Sequence, residues 1–300
     1  MGDVVASAWS HLSGRGASLS AVDEAIVWQG RAPRVVTAVG VGAGLAVAGV
    51  VMQALTHNPL ADPYLLGVSS GASVGAVGAL VLGVTALWVL PAAAFGGALA
   101  ALATTMAISG RGASPVRIIL SGVAVGYLAS ALVSLLVFSS TRGDAYREIL
   151  SWLLGSLGSS RWWEAGVATG AAALAAIVVA TRARTLDALL LGDDAAVSLG
   201  VDVRRERPWL MVLVAVLTGA LVSVSGAIGF VGLVVPHMAR LVAGQRHRLL
   251  LPTAALGGAF FLLLADTAAR TVFEPVEVPV GIVTALVGGP AFAVLLRRSR

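Results

Sequence analysis

A short string in the first third of the chain, Gly67-Val68-Ser69-Ser70-Gly71, has the G-x-S-x-G spacing of the nucleophile elbow in serine hydrolases. That elbow needs a strand before the serine and a helix after it, because the sharp turn between them exposes the hydroxyl. Both flanks of this string are apolar and helical in pattern. The pattern therefore favours small residues that let two helices approach closely over a catalytic serine.

The other residues that could do chemistry do not form a recognisable site. His57 and His237 lie at the ends of apolar stretches and His11 and His247 lie in polar loops, with no H-E-x-x-H pair. The chain has no Cys, which excludes disulfides, cysteine-ligated zinc, iron–sulfur clusters and thiol catalysis. All 20 basic residues are Arg, so there is no lysine to grip ATP in a phosphate-binding loop. We expect a chain that catalyses nothing by itself and holds no metal or cofactor.

The composition is that of a membrane protein. Hydrophobic residues make up 58% of the chain and charged residues only 12%, whereas about a quarter of a soluble domain is charged. The 36 glycines suit helices that pack closely in lipid. The net charge of +5 is scattered rather than clustered, which favours membrane topology over a nucleic-acid footprint.

Nine apolar stretches approach the roughly 20 residues that a helix needs to cross the hydrocarbon core. They are Val36–Leu55, Tyr64–Gly83, Ala86–Ile108, Ile118–Ser139, Trp163–Ala180, Pro208–Ser225, Ile228–Ala243, Leu249–Asp266 and Val278–Leu296. The seventh is the least regular, because Ser225–Gly232 and Pro236 favour a short or bent helix. The sequence thus predicts an all-α polytopic membrane protein with nine transmembrane helices in this chain.

Arginine is distributed unevenly between the two sides that nine spans define. The loops on the side of the C-terminus carry an excess of arginine, and the other side carries more acidic residues than arginines. The positive-inside rule therefore predicts a cytoplasmic C-terminus and an external segment at residues 1–30. An external N-terminus without a preceding span is unusual, so we expect an upstream start in the natural gene or the loss of a first helix.

The polar residues near the spans do not indicate ion coupling. An ion-coupled transporter normally keeps an ionisable residue near the membrane midplane, and none of the predicted spans has one there. Asp266 comes closest, but it lies at the outer end of its span with Arg270 four residues later, which predicts a helix-end ion pair. Such a pore must use a partner's ATP hydrolysis, act as a passive channel, or be structural.

The longest polar stretch on the predicted cytoplasmic side is 182–207. Leucines crowd one turn at Leu189–Leu191, Gly192 interrupts the pattern, and Ala195–Leu199 resumes it before Gly200. This predicts two short amphipathic helices bent at a glycine, each with an apolar face to bury. A docking site for a partner protein and a helix lying on the lipid surface both fit the pattern.

Six long motifs follow one another along almost the whole chain from its first predicted span. They are Arg31–Leu55, His57–Ala76, Ser151–Trp163, Leu189–Val203, Ser225–Gly244 and Glu277–Phe292. In these motifs and in their order the chain resembles the FecCD-type permeases of bacterial ABC importers for iron–siderophores, haem and cobalamin. Long motifs in family order are more specific than any single short pattern.

The resemblance implies a type II ABC importer permease fold with ten helices, of which this chain would supply helices two to ten. It implies one transmembrane permease domain over 31–300, with cytoplasmic coupling helices at about 185–206. It also implies a multi-pass protein of the bacterial inner membrane that binds neither nucleic acid nor a cofactor of its own. The implied partners are a second permease (identical or related), two ATPases that use ATP and Mg²⁺, and a periplasmic or lipid-anchored substrate-binding protein.

Three sets of residues receive roles through this resemblance. The docking site for the binding protein would use Arg31, Arg34 and Arg270. The coupling helices, which would sit in a groove of the ATPase, contain Leu189, Leu190, Leu191, Gly192, Asp193, Ala195, Ala196, Leu199 and Gly200. The cytoplasmic gate would consist of Asn58 and Leu60 in one loop and of Ser114 and Pro115 in another. The better-studied family members are hydroxyl-rich at the second loop, where this chain has a proline.

The substrate that we expect is an iron–siderophore complex, imported by means of a partner's ATP hydrolysis. A haem or cobalamin permease of the same family is one alternative, and a passive channel is the alternative from another class. Small and apolar linings would suit any bulky metal chelate, since tight binding inside the pore would slow its release.

Overall fold

The structure is a computed structural model that describes residues 20–84, 86–110, 112–140, 145–272 and 276–298. Within those ranges all regular secondary structure is helical, with a 3₁₀ turn at Pro63–Leu66 and a π-helical segment at Ile26–Arg31. In chain order the α-helices are α1 (Ala21–Ala25), α2 (Ala32–Leu55), α3 (Val68–Val81), α4 (Val89–Ser109), α5 (Pro115–Ser139), α6 (Ala145–Leu153), α7 (Trp162–Thr181), α8 (Ala183–Leu190), α9 (Asp193–Ser198), α10 (Val203–Ser225), α11 (Val231–Ala243), α12 (His247–Thr271) and α13 (Val280–Arg298).

Six helices have the length and hydropathy to cross a membrane, and each coincides with a predicted span. They are α2, α4, α5, α7, α10 and α12, of which α2 is extended toward the N-terminus. Three shorter apolar helices, α3, α11 and α13, lie where the other three spans were predicted. The all-α, multi-pass prediction is confirmed, whereas among the described residues six helices, rather than all nine predicted spans, have the length and hydropathy for crossing.

The first span begins before the predicted boundary at Arg31. The helix α1, the π-helical segment and α2 form one continuous apolar helix, Val22–Leu55. Pro33 lies in the first turn of α2 and has no N–H to donate, and the wider helical turn before it is compatible with that missing donor. Residues 21–30 of the predicted external segment are therefore the start of this helix, Ser20 precedes it as its cap, and 1–19 lie outside the described residues.

The helices α3 and α11 are short because an irregular segment precedes each of them. Before α11 the chain is left-handed at Gly226 (φ 67°) and Phe230 (φ 69°), which confirms the irregularity predicted at Ser225–Gly232. The 3₁₀ turn precedes α3, and its Tyr64 hydroxyl donates to the Ile228 carbonyl at 2.9 Å and accepts from the Ile228 N–H at 3.1 Å. The two irregular segments thus meet, and their polar groups satisfy one another, as non-helical backbone at membrane depth requires.

The central helix is α2, against which α7, α10, α11 and α12 all pack. It approaches α12 closely at Gly42, which faces Gly258, and a side-chain carbon at either glycine would overlap the backbone carbonyl of the other. Leu45 and Met52 of the same helix are fully buried. Here glycine provides the close helix packing that the composition suggested.

The G-x-S-x-G string is a packing motif. Gly67 is left-handed, with a φ of 74°, and follows the 3₁₀ turn Pro63–Leu66 rather than a strand. Gly71 faces Gly97 of α4, and each glycine leaves room for the backbone of the other. The interpretation as small residues between two close helices is confirmed, because this segment lacks the strand that a nucleophile elbow needs.

Candidate functional site

The polar stretch 182–207 contains the two predicted short helices. The helix α8 ends at Leu190, the chain turns at Gly192 with a φ of 103°, and α9 begins at Asp193. This backbone conformation suits glycine, which has no Cβ to clash. We call the end of the bundle that carries α8 and α9 the coupling end.

These two helices bury one set of apolar side chains and expose another. Leu186, Leu189 and Ala196 are fully buried in the core that the spans form. The exposed set, which we call the coupling surface, is Leu191 (69%), Val197 (61%) and Leu199 (64%). The predicted apolar residues therefore form two sets. The buried set fixes α8 and α9 to the bundle, and the exposed set contacts no other part of the described chain closely enough to be buried.

The remaining predicted coupling residues lie between those two faces. Leu190 and Ala195 are partly buried, and Gly200, with a φ of 84°, follows the second helix. The sequence analysis did not single out Val197. The feature that could have identified Val197 is that it is the one large apolar residue in the helix Asp193–Ser198, whose other residues are small or polar.

An ion pair fixes the start of α9 to α10. Arg207 is only 5% exposed, and both of its terminal nitrogens bond to the carboxylate of Asp193, with Nη1 2.8 Å from Oδ2. Such a fork is the geometry in which guanidinium binds carboxylate most specifically. The hydrogen bonds from Arg207 lower the pKa of the Asp193 carboxyl, so this pair stays charged near neutral pH.

Two further contacts hold α8. Asp187 accepts through Oδ1 from the backbone N–H of His247 at 2.9 Å and contacts its Nδ1 at 2.7 Å, which joins α8 to the start of α12. Arg182, just before α8, donates to Glu206 at 2.7 Å and lies over the ring of Trp209, 5.4 Å from its centroid. The helices α8 and α9 are therefore attached to two different spans, α10 and α12.

The first predicted gate loop lies directly beside these helices. Asn58 and Leu60 are exposed, and the Asn58 side-chain oxygen accepts from the Leu60 N–H at 2.9 Å. The residue before them, His57, brings its Nε2 to 2.5 Å from the carbonyl oxygen of Leu189. The sequence analysis assigned no role to His57, because a bond to a backbone carbonyl leaves no sequence pattern.

The second predicted gate loop forms the start of α5. Ser114 caps the helix, its hydroxyl accepting from the Arg117 N–H at 3.4 Å, and Pro115 is the first helical residue. Proline is favoured at that position, because its N–H would be unpaired in any case. The proline that departs from the family pattern therefore has a local structural reason.

The three arginines predicted to dock a binding protein lie at the opposite end of the bundle. Arg31 is exposed, whereas Arg34 is 8% exposed and bonded to two carboxylates, Asp266 and Glu277. Arg270 is partly exposed, with its Nε 3.4 Å from Oδ2 of Asp266, so the predicted helix-end ion pair is confirmed. The three arginines thus differ in how freely they could meet a partner.

Metal-ligating side chains are not gathered anywhere in the described ranges. No group of three or more His, Asp or Glu residues there is arranged to hold a metal ion. His57 and His247 are instead bonded to the coupling helices.

Comparisons with known proteins agree with this architecture. The profile of the FecCD transport family matches residues 2–298. The cobalamin import system permease protein BtuC of Halobacterium salinarum is 48% identical over 278 residues, which cover 91% of this chain and 74% of that protein. The hemin transport system permease protein HmuU of Yersinia pestis is 45% identical over 277 residues, which cover 90% and 82%.

A solved structure shares the fold over nearly its full length. It is described as a metal-chelate type ABC transporter in an inward-facing conformation, with a TM-score of 0.87, 35% sequence identity and coverage of 98% of this chain and 96% of that one. The sequence motifs, the helical fold and these matches lead to one conclusion: the chain belongs to the FecCD transport family and is a multi-pass permease of a type II ABC importer.

Proposed function

We propose that this chain carries a metal chelate across the bacterial inner membrane, using ATP that partner subunits hydrolyse. Two permease chains, identical or related, would enclose the pathway. Two ATPases would bind at the coupling end, and a substrate-binding protein would dock at the opposite end. The observation that carries this proposal is the coupling surface, three exposed apolar side chains on α9 or directly after α8 and α9, in a chain whose residues 2–298 match the family.

The charge of α9, which carries Val197 of the coupling surface, favours a protein partner over the lipid surface. Helices that lie on a membrane carry Lys or Arg on their polar face, because lipid head groups are often anionic. The helix α9 instead begins with Asp193 and Asp194 and contains no basic residue. An apolar patch with an acidic edge suits a groove on a protein, which is what an ATPase would provide.

The proposed substrate class is a bulky metal chelate. The relatives described above are named for cobalamin and for hemin, and the solved neighbour is described as metal-chelate type. The iron–siderophore that the sequence led us to expect belongs to the same chemical class. We therefore propose the class and treat cobalamin, haemin and a ferric siderophore as the three ligands to test.

The test is uptake into proteoliposomes that contain the permease with its co-purifying ATPase and binding protein. We expect uptake of at least one of the three chelates when ATP and Mg²⁺ are inside the vesicles with the ATPase. We expect none with the permease alone under a proton or sodium gradient, because none of the spans predicted from the sequence has an ionisable residue near the membrane midplane, where ion-coupled transporters normally keep one. Gradient-driven uptake by the permease alone would refute the proposal, and equilibration of the chelate without ATP would indicate a channel.

A further inference from the structure

His57 has a backbone conformation that side chains rarely adopt. It follows the C-terminus of α2 with a φ of 51°, and Phe230 is the other left-handed non-glycine residue among those described. The position closes the helix, since the Asn58 N–H bonds to the Gln53 carbonyl at 3.2 Å, and glycine is the usual residue there. An unfavourable residue at such a position points to a role for its side chain.

The imidazole of His57 contacts both coupling helices. Its Nε2 lies 2.5 Å from the carbonyl oxygen of Leu189, in the last turn of α8, and 3.9 Å from Oδ1 of Asp193 at the start of α9. Because a carbonyl oxygen only accepts, Nε2 carries the hydrogen and donates it. One ring therefore contacts the chain on both sides of the turn at Gly192.

His57 is also the residue from which the gate loop starts. Asn58 follows it directly, and the Asn58 side chain fixes the loop by accepting from the Leu60 N–H. A displacement of α8 and α9 would be transmitted to Asn58 through the hydrogen bond between His57 and Leu189 and then through the peptide bond from His57 to Asn58.

The other polar contacts of the coupling helices lead elsewhere. Asp193 is bonded to Arg207 of α10, and Asp187 is bonded to His247 of α12. Both contacts fix the helices to spans. Among the side-chain hydrogen bonds of the described residues, the bond from His57 is the one that joins the coupling helices to the gate loop.

We propose that His57 is a positioning residue that passes movement of the coupling helices to Asn58 and Leu60, so that events at the ATPase change the gate. This inference rests on the proposed function and adds a route between its two sites. The imidazole is needed because it spans the gap to Leu189, and the strained backbone persists because that contact holds it.

The experiment compares His57→Gly with His57→Gln in the reconstituted importer. Glycine suits the left-handed backbone and lacks the donor, whereas glutamine keeps an N–H donor of similar reach and fits that backbone poorly. We measure chelate transported per ATP hydrolysed, ATPase co-purification and the thermal unfolding midpoint. Gln245→Gly is the matched control, because Gln245 is an exposed residue in the turn before α12, near the coupling end.

We expect His57→Gly to retain the ATPase and to unfold at or above the wild-type temperature. Its transport per ATP should fall at least about five-fold, the lower end of typical coupling between linked sites. His57→Gln should retain more coupling despite lower stability, and Gln245→Gly should match wild type. Equal transport per ATP in His57→Gly and wild type, or better coupling with Gly than with Gln, would overturn the inference. Absence of ATP-driven uptake in the wild type would instead refute the proposed function.

Discussion

Arg34 of α2 holds Asp266 of α12 through a two-pronged ion pair, with its Nε 3.0 Å from each carboxylate oxygen. Asp266 is fully buried, and Arg34 also donates to Glu277 at 2.7 Å. Arg270 adds a second positive charge beside Asp266. This cluster joins the central helix to α12 and to the segment before α13, so Arg34 contributes to the bundle itself as well as to any surface for docking.

Arg34→Ala should destabilise the protein strongly. The change leaves the buried Asp266 carboxylate with Arg270 as its remaining described partner, and breaking a buried ion pair from one side costs about 3–5 kcal/mol. Thermal unfolding in detergent should show a clearly lower midpoint for this variant. Arg31→Ala is the control and should unfold as wild type does, because Arg31 is exposed. Equal midpoints for the two variants would show that the cluster contributes little to stability.

Arg31→Glu should affect docking rather than folding. An exposed arginine at the end opposite the coupling helices can attract an acidic binding protein over a distance, which chiefly changes the association rate. We expect slower association of the binding protein at low ionic strength and a smaller difference at 1 M salt, where the Debye length is about 3 Å. Surface plasmon resonance at several salt concentrations measures this. An unchanged association rate at low salt would remove Arg31 from the docking site.

Leu191→Asp should detach the ATPase without unfolding the permease. The side chain is 69% exposed within the chain, so the substitution buries no charge in the monomer, but it would place one in the interface with the ATPase. Co-purification of the ATPase should be lost while membrane insertion and the unfolding midpoint stay unchanged.

Two controls separate this effect from general damage. Leu189→Asp, at a fully buried position two residues earlier, should unfold the coupling end. Leu82→Asp changes a leucine that is 78% exposed at the far end of α3 and should retain the ATPase. Retention of the ATPase and of transport in Leu191→Asp would favour a lipid-surface position for α8 and α9.

Features set by local pattern could be predicted from the sequence. Hydrophobic runs located the six long and three short apolar helices, Gly192 located the bend between α8 and α9, and the four-residue spacing of Asp266 and Arg270 predicted their ion pair. Each depends on neighbours along one helix or one turn, where periodicity fixes which side chains meet. The pattern around Leu189–Leu191 also indicated apolar faces, but it could not say which leucine faces the core.

Contacts between distant parts of the chain could not be predicted. Arg34 and Asp266 are 232 positions apart, and the pairing of a charge at one helix end with one on another helix depends on how the helices pack. The bond from His57 ends on a backbone carbonyl, a group that every residue possesses. The resemblance to a family placed Arg34 at a docking surface but gave no indication that two carboxylates of the same chain already bind it.

Tyr64→Phe tests the contact between the two irregular segments, which the sequence did not indicate. The hydroxyl both donates to the Ile228 carbonyl and accepts from the Ile228 N–H, and Ile228 is 1% exposed. Phenylalanine keeps the ring but leaves both backbone groups without that partner, at a cost of about 1–3 kcal/mol. The variant should therefore unfold at a lower temperature and still bind the ATPase, because the coupling surface is untouched. Tyr127→Phe is the matched control, since Tyr127 is 76% exposed on α5 and its hydroxyl joins no two segments among the described residues. If both variants unfold at the wild-type temperature, water or backbone rearrangement satisfies Ile228, and the Tyr64 hydroxyl does not hold the two segments together.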